Sequence, residues 1–180
     1  MTAPDHDAPE RIEWQGRYIV AKTRGRWEYV GRTRDIRAAV ILAVDDGQIL
    51  LVEQYRVPLG RNCLELPAGL IGDDDGAEGE DDLAAAGREL EEETGYRAAH
   101  LQDVGRFHSS PGMVSESFTL VRATGLTRIH AGGGTESENI TVHRVLLSEL
   151  DAFVAAKRTE GCAIDVRLLL ALGQDILAGE

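Results

Sequence analysis

The chain has 180 residues, 43% of them apolar, and a formal net charge of −12. That is enough for one domain with a sizeable core, and it excludes a disordered chain. The negative field works against a general nucleic-acid binder or a binder of anionic membranes, so an anionic substrate would need local arginines or metal ions.

Residues 1–10 are polar, contain Pro4 and Pro9, and are expected to form a disordered tail. They hold no apolar signal-peptide run, and no later run is long enough to span a bilayer. Cys63 and Cys162 are too few for a disulfide framework, so the expectation is a cytoplasmic protein with reduced thiols. Residues 11–35 read as an N-terminal β segment, with short strands at Tyr18–Ala21 and Trp27–Val30 around a turn at Arg24-Gly25-Arg26. Arg24, Arg26 and Arg32 flank Trp27; Tyr18 and Trp27 suit packing, a dimer contact or base stacking.

Residues 36–180 read as the main domain. The apolar run Ala38–Val44, the turn Asp45-Asp46-Gly47 and the run Ile49–Tyr55 predict a hairpin of buried strands. Arg56 ends the second strand, where it would grip a phosphate or carboxylate bidentately or stand as a solvated edge charge. Cys63–Gly69 reads as a strand entering a turn, and residues 70–79 as a loop with Asp73-Asp74-Asp75. A helix is expected from about Glu80 to Thr94. Its buried stripe would be Leu83, Ala86, Gly87 and Leu90, with the glutamates away from it. Gly87 would permit close approach of another element, and Gly95 suits the position after the last turn. Strands are expected at Leu101–Phe107, Ser117–Ala123 and Ile140–Leu146. Gly125–Gly134 would be a flexible loop, loosest at Gly132-Gly133-Gly134. Ser148 would cap a helix over 149–158, and Asp165 a last helix with Val166, Leu169, Leu170 and Ile176 on its apolar side. The class is α+β or α/β/α.

The chemistry is concentrated at Arg88-Glu89-Leu90-Glu91-Glu92-Glu93-Thr94-Gly95. On a helix, Glu89, Glu92 and Glu93 stand at i, i+3 and i+4, where like charges repel. A bound hard cation such as Mg²⁺ explains their grouping, and points to phosphate or pyrophosphate chemistry. Arg88, at i, i+4 from Glu92, would orient these carboxylates or serve the helix structurally. Glu116 is a further candidate ligand, base or substrate contact. His108 and His143 suit strand or loop roles better than ligation, because hard cations prefer oxygen.

The stretch from Gly69 to Tyr96 resembles the Nudix box. Glu80 and Arg88 through Tyr96 fit its helical half without a gap, whereas Gly69 and Glu80 stand further apart than in the family pattern. The extra residues fall in the acidic Gly72–Gly79 loop. Glu53-Gln54-Tyr55-Arg56, Glu65–Ile71, Ser110-Pro111-Gly112 and Glu136–Val142 are similar to segments of the ADP-ribose pyrophosphatase-like subfamily. Trp27–Arg32 resembles its N-terminal segment.

The resemblance implies a Nudix fold, an α/β/α sandwich with a mixed sheet and a small N-terminal β layer. It implies two or three Mg²⁺ or Mn²⁺ ions on Glu89, Glu92, Glu93 and the carbonyl of Ala68, with Glu80, or else Glu78, supporting the site. Glu136, or else Glu138, would be the catalytic base. Trp27 would stack on adenine, with Tyr18 as a further substrate contact, and Arg32 and Arg56 would hold phosphate. The N-terminal layer would exchange across a homodimer, bringing Trp27 to the partner's site. The implied reaction is hydrolysis of a nucleoside diphosphate sugar: ADP-ribose to AMP and ribose 5-phosphate, or else GDP-mannose or a related compound. A non-catalytic nucleotide-sugar sensor is the alternative of another class, and neither nucleic acid nor membrane is an expected partner.

Overall fold

The computed structural model describes residues 4–33, 36–72, 81–135 and 138–178. Strands β1 (Glu10–Gln15), β2 (Ile19–Arg24) and β3 (Trp27–Arg32) form a separate antiparallel three-stranded sheet. β1 was not expected as a strand. All six of its residues are exposed, so no buried face prints a period-2 pattern on its sequence. In the stretch expected to fray, residues 4–7 form a turn, and Asp5 pairs with Arg26 at 3.0 Å.

The main body begins with the hairpin β4 (Arg37–Asp45) and β5 (Gln48–Arg56). These strands pair only next to their turn, at Val44–Ile49 and Asp45–Gln48, and then diverge. β4 goes on to pair with β7 (Ala68–Ile71) and, in parallel, with β9 (Ser117–Arg128). β9 also pairs with the edge strand β8 (Tyr96–His108). β5 pairs with β6 (Arg61–Glu65) and β10 (Thr141–Leu146), and β6 takes the two-residue strand β11 (Ala163–Ile164) in parallel. The sheet is therefore mixed, as expected.

Helix α1 (Asp82–Thr94) covers one face; α2 (Leu150–Thr159) and α3 (Leu169–Ala178) lie on the other. β4 shows why. Ala39, Ile41 and Ala43 pack with Ala85, Ala86 and Leu90 of α1, while Val40 belongs to the second core with Leu150, Val154, Leu168 and Leu172. Successive strand residues alternate faces, so a strand covered on both sides reads as a continuous apolar run.

Several local expectations are corrected. Ser148 lies in a 3-10 turn, and α2 starts after Glu149 with no side-chain cap. Asp165 does cap, accepting from Arg167 N at 2.7 Å. But Val166, Leu169 and Leu170 are exposed while Leu168 and Leu172 are buried. The initial 3-10 turn, 166–168, shifts the phase from the helical period assumed for this segment. The side chain of Ile176 lies outside those described. Gly132–Gly134 does not form a loose loop. Gly133 N and Gly134 N donate to the carbonyls of Glu93 and Glu92, at 2.8 and 3.1 Å. The glycines satisfy the last-turn carbonyls of α1 by close approach, since a Cβ on Gly132 would stand 2.4 Å from the carbonyl carbon of Thr94. No helix among the described residues is long and apolar enough to cross a membrane.

Candidate active site

Helix α1 is held at both ends. Asp81 caps its start through a bond from Ala84 N at 3.0 Å, and Gly95 ends it in the left-handed conformation, φ 76°. The close approach expected at Gly87 is present: a Cβ there would lie 3.1 Å from Leu101. Between α1, β7, β5 and the 3-10 turn at 166–168 lies a cleft of about 590 Å³.

Glu93 reaches this cleft, yet the residue is only 3% exposed. It does not lie away from the core as expected; at i+3 from Leu90 it lies beside the buried stripe. Its Oε2 accepts from Ala68 N at 3.0 Å, so the Ala68 group in contact with it is the amide rather than the carbonyl. Burial, followed by repulsion from Glu89 and Glu138, pushes the Glu93 carboxyl up from 4.5 to about 8, against the opposing Ala68 bond. Glu89 lies over Gly69, where a Cβ would sit 2.0 Å from its carboxyl carbon. A side chain at position 69 would therefore displace the Glu89 carboxylate. Arg88 bonds Glu89 at 2.8 Å and stands 3.9 Å from Glu92. Glu92 faces a second depression beside this cleft, with Arg88, Glu91, His130, Gly132 and Gly134.

Glu138 also lines the main cleft, with Oε2 accepting from Thr135 N at 2.8 Å and Thr135 Oγ1 at 2.9 Å. Glu78, Glu80 and Glu136 lie outside the described residues, as do Asp73-Asp74-Asp75. Arg32 and Glu116 both line the cleft and pair at 2.7 Å. β3 brings Arg32 to its own chain's cleft by joining segment 113–115: Val30 N donates to Met113 O at 3.0 Å, and Ser115 N to Val30 O at 2.9 Å. Trp27 is 52% exposed and Tyr18 49%, and neither lines the cleft. Arg56 does line it, bonding Glu65 at 2.6 and 2.8 Å.

Sequence reasoning missed Glu65, Asp165 and Arg167 as cleft residues. Glu65 did leave a signal: a carboxylate between the buried Leu64 and Leu66 needs cationic partners. Arg167 left none, because only folding brings it 3.2 Å from Glu65.

In this wall the side chains of Arg32, Arg56 and Arg167 stand against those of Glu65, Glu89, Glu93, Glu116, Glu138 and Asp165. The excess of carboxylates suits hard cations and would repel an unaccompanied diphosphate. Among the described residues, no three carboxylates, histidines or cysteines are already gathered at ligating distances.

A NUDIX domain model matches residues 33–159. The methanol dehydrogenase activator of Bacillus methanolicus is 37% identical over 121 residues, 67% of this chain and 63% of that protein. An ADP-ribose pyrophosphatase of Bacillus subtilis (strain 168) is 44% identical over 78 residues, 43% of this chain and 40% of that protein. The chain thus spans less than two thirds of the length of either relative. A solved structure described as an ADP compounds hydrolase superposes with TM-score 0.68 at 22% identity, covering 95% of this chain and 92% of that one. At that identity the likeness concerns the fold.

Proposed function

The chain belongs to the Nudix family, and on that premise we propose that it hydrolyses the pyrophosphate bond of a nucleoside diphosphate sugar, with ADP-ribose cleaved to AMP and ribose 5-phosphate. The observation that carries this reading is the buried Glu93, crowded by Glu89 and Glu138 in a cleft that also presents Arg32 and Arg56. A carboxylate in that setting needs either a proton or a cation. The resemblance of its relatives' names, ADP-ribose pyrophosphatase among them, supports the substrate class.

Glu89 and Glu93 would hold two or three Mg²⁺ or Mn²⁺ ions, joined by Glu92 and the carbonyl of Ala68. When bound, such ions neutralise phosphate oxygens and acidify water. Arg88 orients Glu89 and Glu92, and Glu80 supports the site. Arg56 and Arg32 grip phosphate oxygens, with Arg32 released from Glu116 to do so. Glu136 or Glu138 takes the proton from the attacking water as the new P–O bond forms and the bridging P–O bond breaks. Glu136 is the first candidate and Glu138, whose side chain lines the cleft, the second.

In this reading residues 11–35 form an exchanging N-terminal layer and residues 36–180 the catalytic domain. Trp27 and Tyr18 serve the partner's cleft in a homodimer. The exposure of Ile12, Trp14, Tyr18, Ile19 and Trp27 on the N-terminal sheet supports that arrangement. The protein works in the cytoplasm, with Cys63 and Cys162 as free thiols.

A panel of nucleoside diphosphate derivatives, assayed with Mg²⁺ and with Mn²⁺, tests the substrate. ADP-ribose should be turned over fastest, with AMP released. Faster turnover of GDP-mannose would shift the substrate, and tight binding without turnover of any compound would make the protein a sensor.

A further inference from the structure

Arg167 has no part in the reaction described above, yet it lines the same cleft. Its side chain is 20% exposed and clamped. Nε and Nη2 donate to the two oxygens of Asp165, at 2.7 and 2.8 Å, and Nη2 also donates to Glu65 Oε2 at 3.2 Å. Asp165 is fixed in turn by the backbone N–H of Arg167. On its other side, the Glu65 carboxylate accepts from Arg56 Nε and Nη2. A carboxylate only 3% exposed thus joins two guanidiniums. One is pinned by the turn at 166–168, and the other, 40% exposed, faces the cleft. Nη1 of Arg56 donates to no acceptor among the described residues.

The linkage matters for charge and for geometry. A planar guanidinium bonded in parallel to a fixed carboxylate presents its remaining edge in one direction. Without Arg167, Glu65 and Asp165 would face Arg56 alone, leaving a net negative cluster where a diphosphate must dock. We propose that Arg167 is a positioning residue: through the shared Glu65 carboxylate it holds Arg56 with its Nη1 edge toward the diphosphate of the substrate. This rests on the reading of the cleft as a nucleoside diphosphate site.

The test is a double-mutant cycle on ADP affinity, measured by calorimetry with MgCl₂ for the wild type, Arg56→Gln, Arg167→Gln and the double variant. Kinetics on ADP-ribose and thermal melts accompany it. Each single variant should weaken ADP by about tenfold, and the double variant should bind no worse than the weaker single one. In Arg167→Gln, KM for ADP-ribose should rise by a similar factor while kcat stays within about twofold. Arg167→Lys keeps the charge but not the fork, so its ADP affinity should fall between wild type and Arg167→Gln; this variant carries the test if Arg167→Gln does not fold. Multiplying losses in the double variant, wild-type affinity in Arg167→Gln or Arg167→Lys, or no ADP binding by the wild type would each overturn the inference. Coupled ADP binding without ADP-ribose turnover would instead count against the hydrolytic reading alone.

Discussion

Glu93 sets the terms at the residue scale. Its carboxyl, at about 8 in the folded chain against an ordinary 4.5, keeps a proton that the unfolded chain releases. The metal-free protein should therefore lose stability as pH rises from about 4.5 to about 8, by about 4 to 5 kcal/mol from this group. Chemical denaturation in a chelator checks this. Glu93→Gln should match the wild type near pH 4 and exceed it above pH 8; a variant less stable at pH 8.5 would contradict the assignment. Gly69 provides a second test. Gly69→Ala should push the flexible end of Glu89 aside, lowering turnover by about tenfold to a hundredfold while changing stability by under about 1 kcal/mol. A melt beside an activity assay separates the two effects. The carboxylate grouping was legible in the sequence because i, i+3 and i+4 share a helix face. The division that places Glu89 and Glu93 in one cleft and Glu92 in another was not, because it depends on where β7 crosses the helix.

At the scale of elements, α1 was legible because two independent signals agreed: an apolar stripe and Gly95 at its end. The docking of Gly132–Gly134 on that helix end was not. A glycine run reads as freedom, whereas here it permits backbone contact. Gly132→Ala combines a φ of +72° with a clash against backbone, and should cost more than about 2 kcal/mol in a denaturation experiment. Across the sheet, Glu53 ties β5 to β6, β10 and α2 through Asn62 at 2.9 Å, His143 at 2.9 Å and Lys157 at 3.0 Å. Although burial opposes it, these bonds bring the Glu53 carboxyl from 4.5 down to about 2. Its contribution is fully present above about pH 4.5 and is lost as pH falls toward 2. Glu53→Gln should cost about 2 kcal/mol at pH 7 and nothing at pH 2, with turnover per folded molecule unchanged. Urea titrations at the two pH values decide it.

At the scale of the molecule, the layered architecture followed from a few strong patterns. The β4–β5 hairpin carries buried residues on both faces, so helices must cover both. The N-terminal sheet was only partly legible, since β1 buries nothing within the chain. The phase of α3 was misread because a 3-10 turn precedes it. The acidic net charge is repeated in the cleft wall, where carboxylates outnumber arginines. A diphosphate substrate and an acidic cleft are compatible only with cations between them. The most direct measurement is AMP release from ADP-ribose by the wild type with Mg²⁺, by the wild type in excess chelator, and by Glu93→Gln with Mg²⁺. The account predicts turnover in the first case, none in the second, and a loss of at least about a hundredfold in the third with the fold retained. Metal-independent turnover, or a wild-type rate in Glu93→Gln, would contradict it.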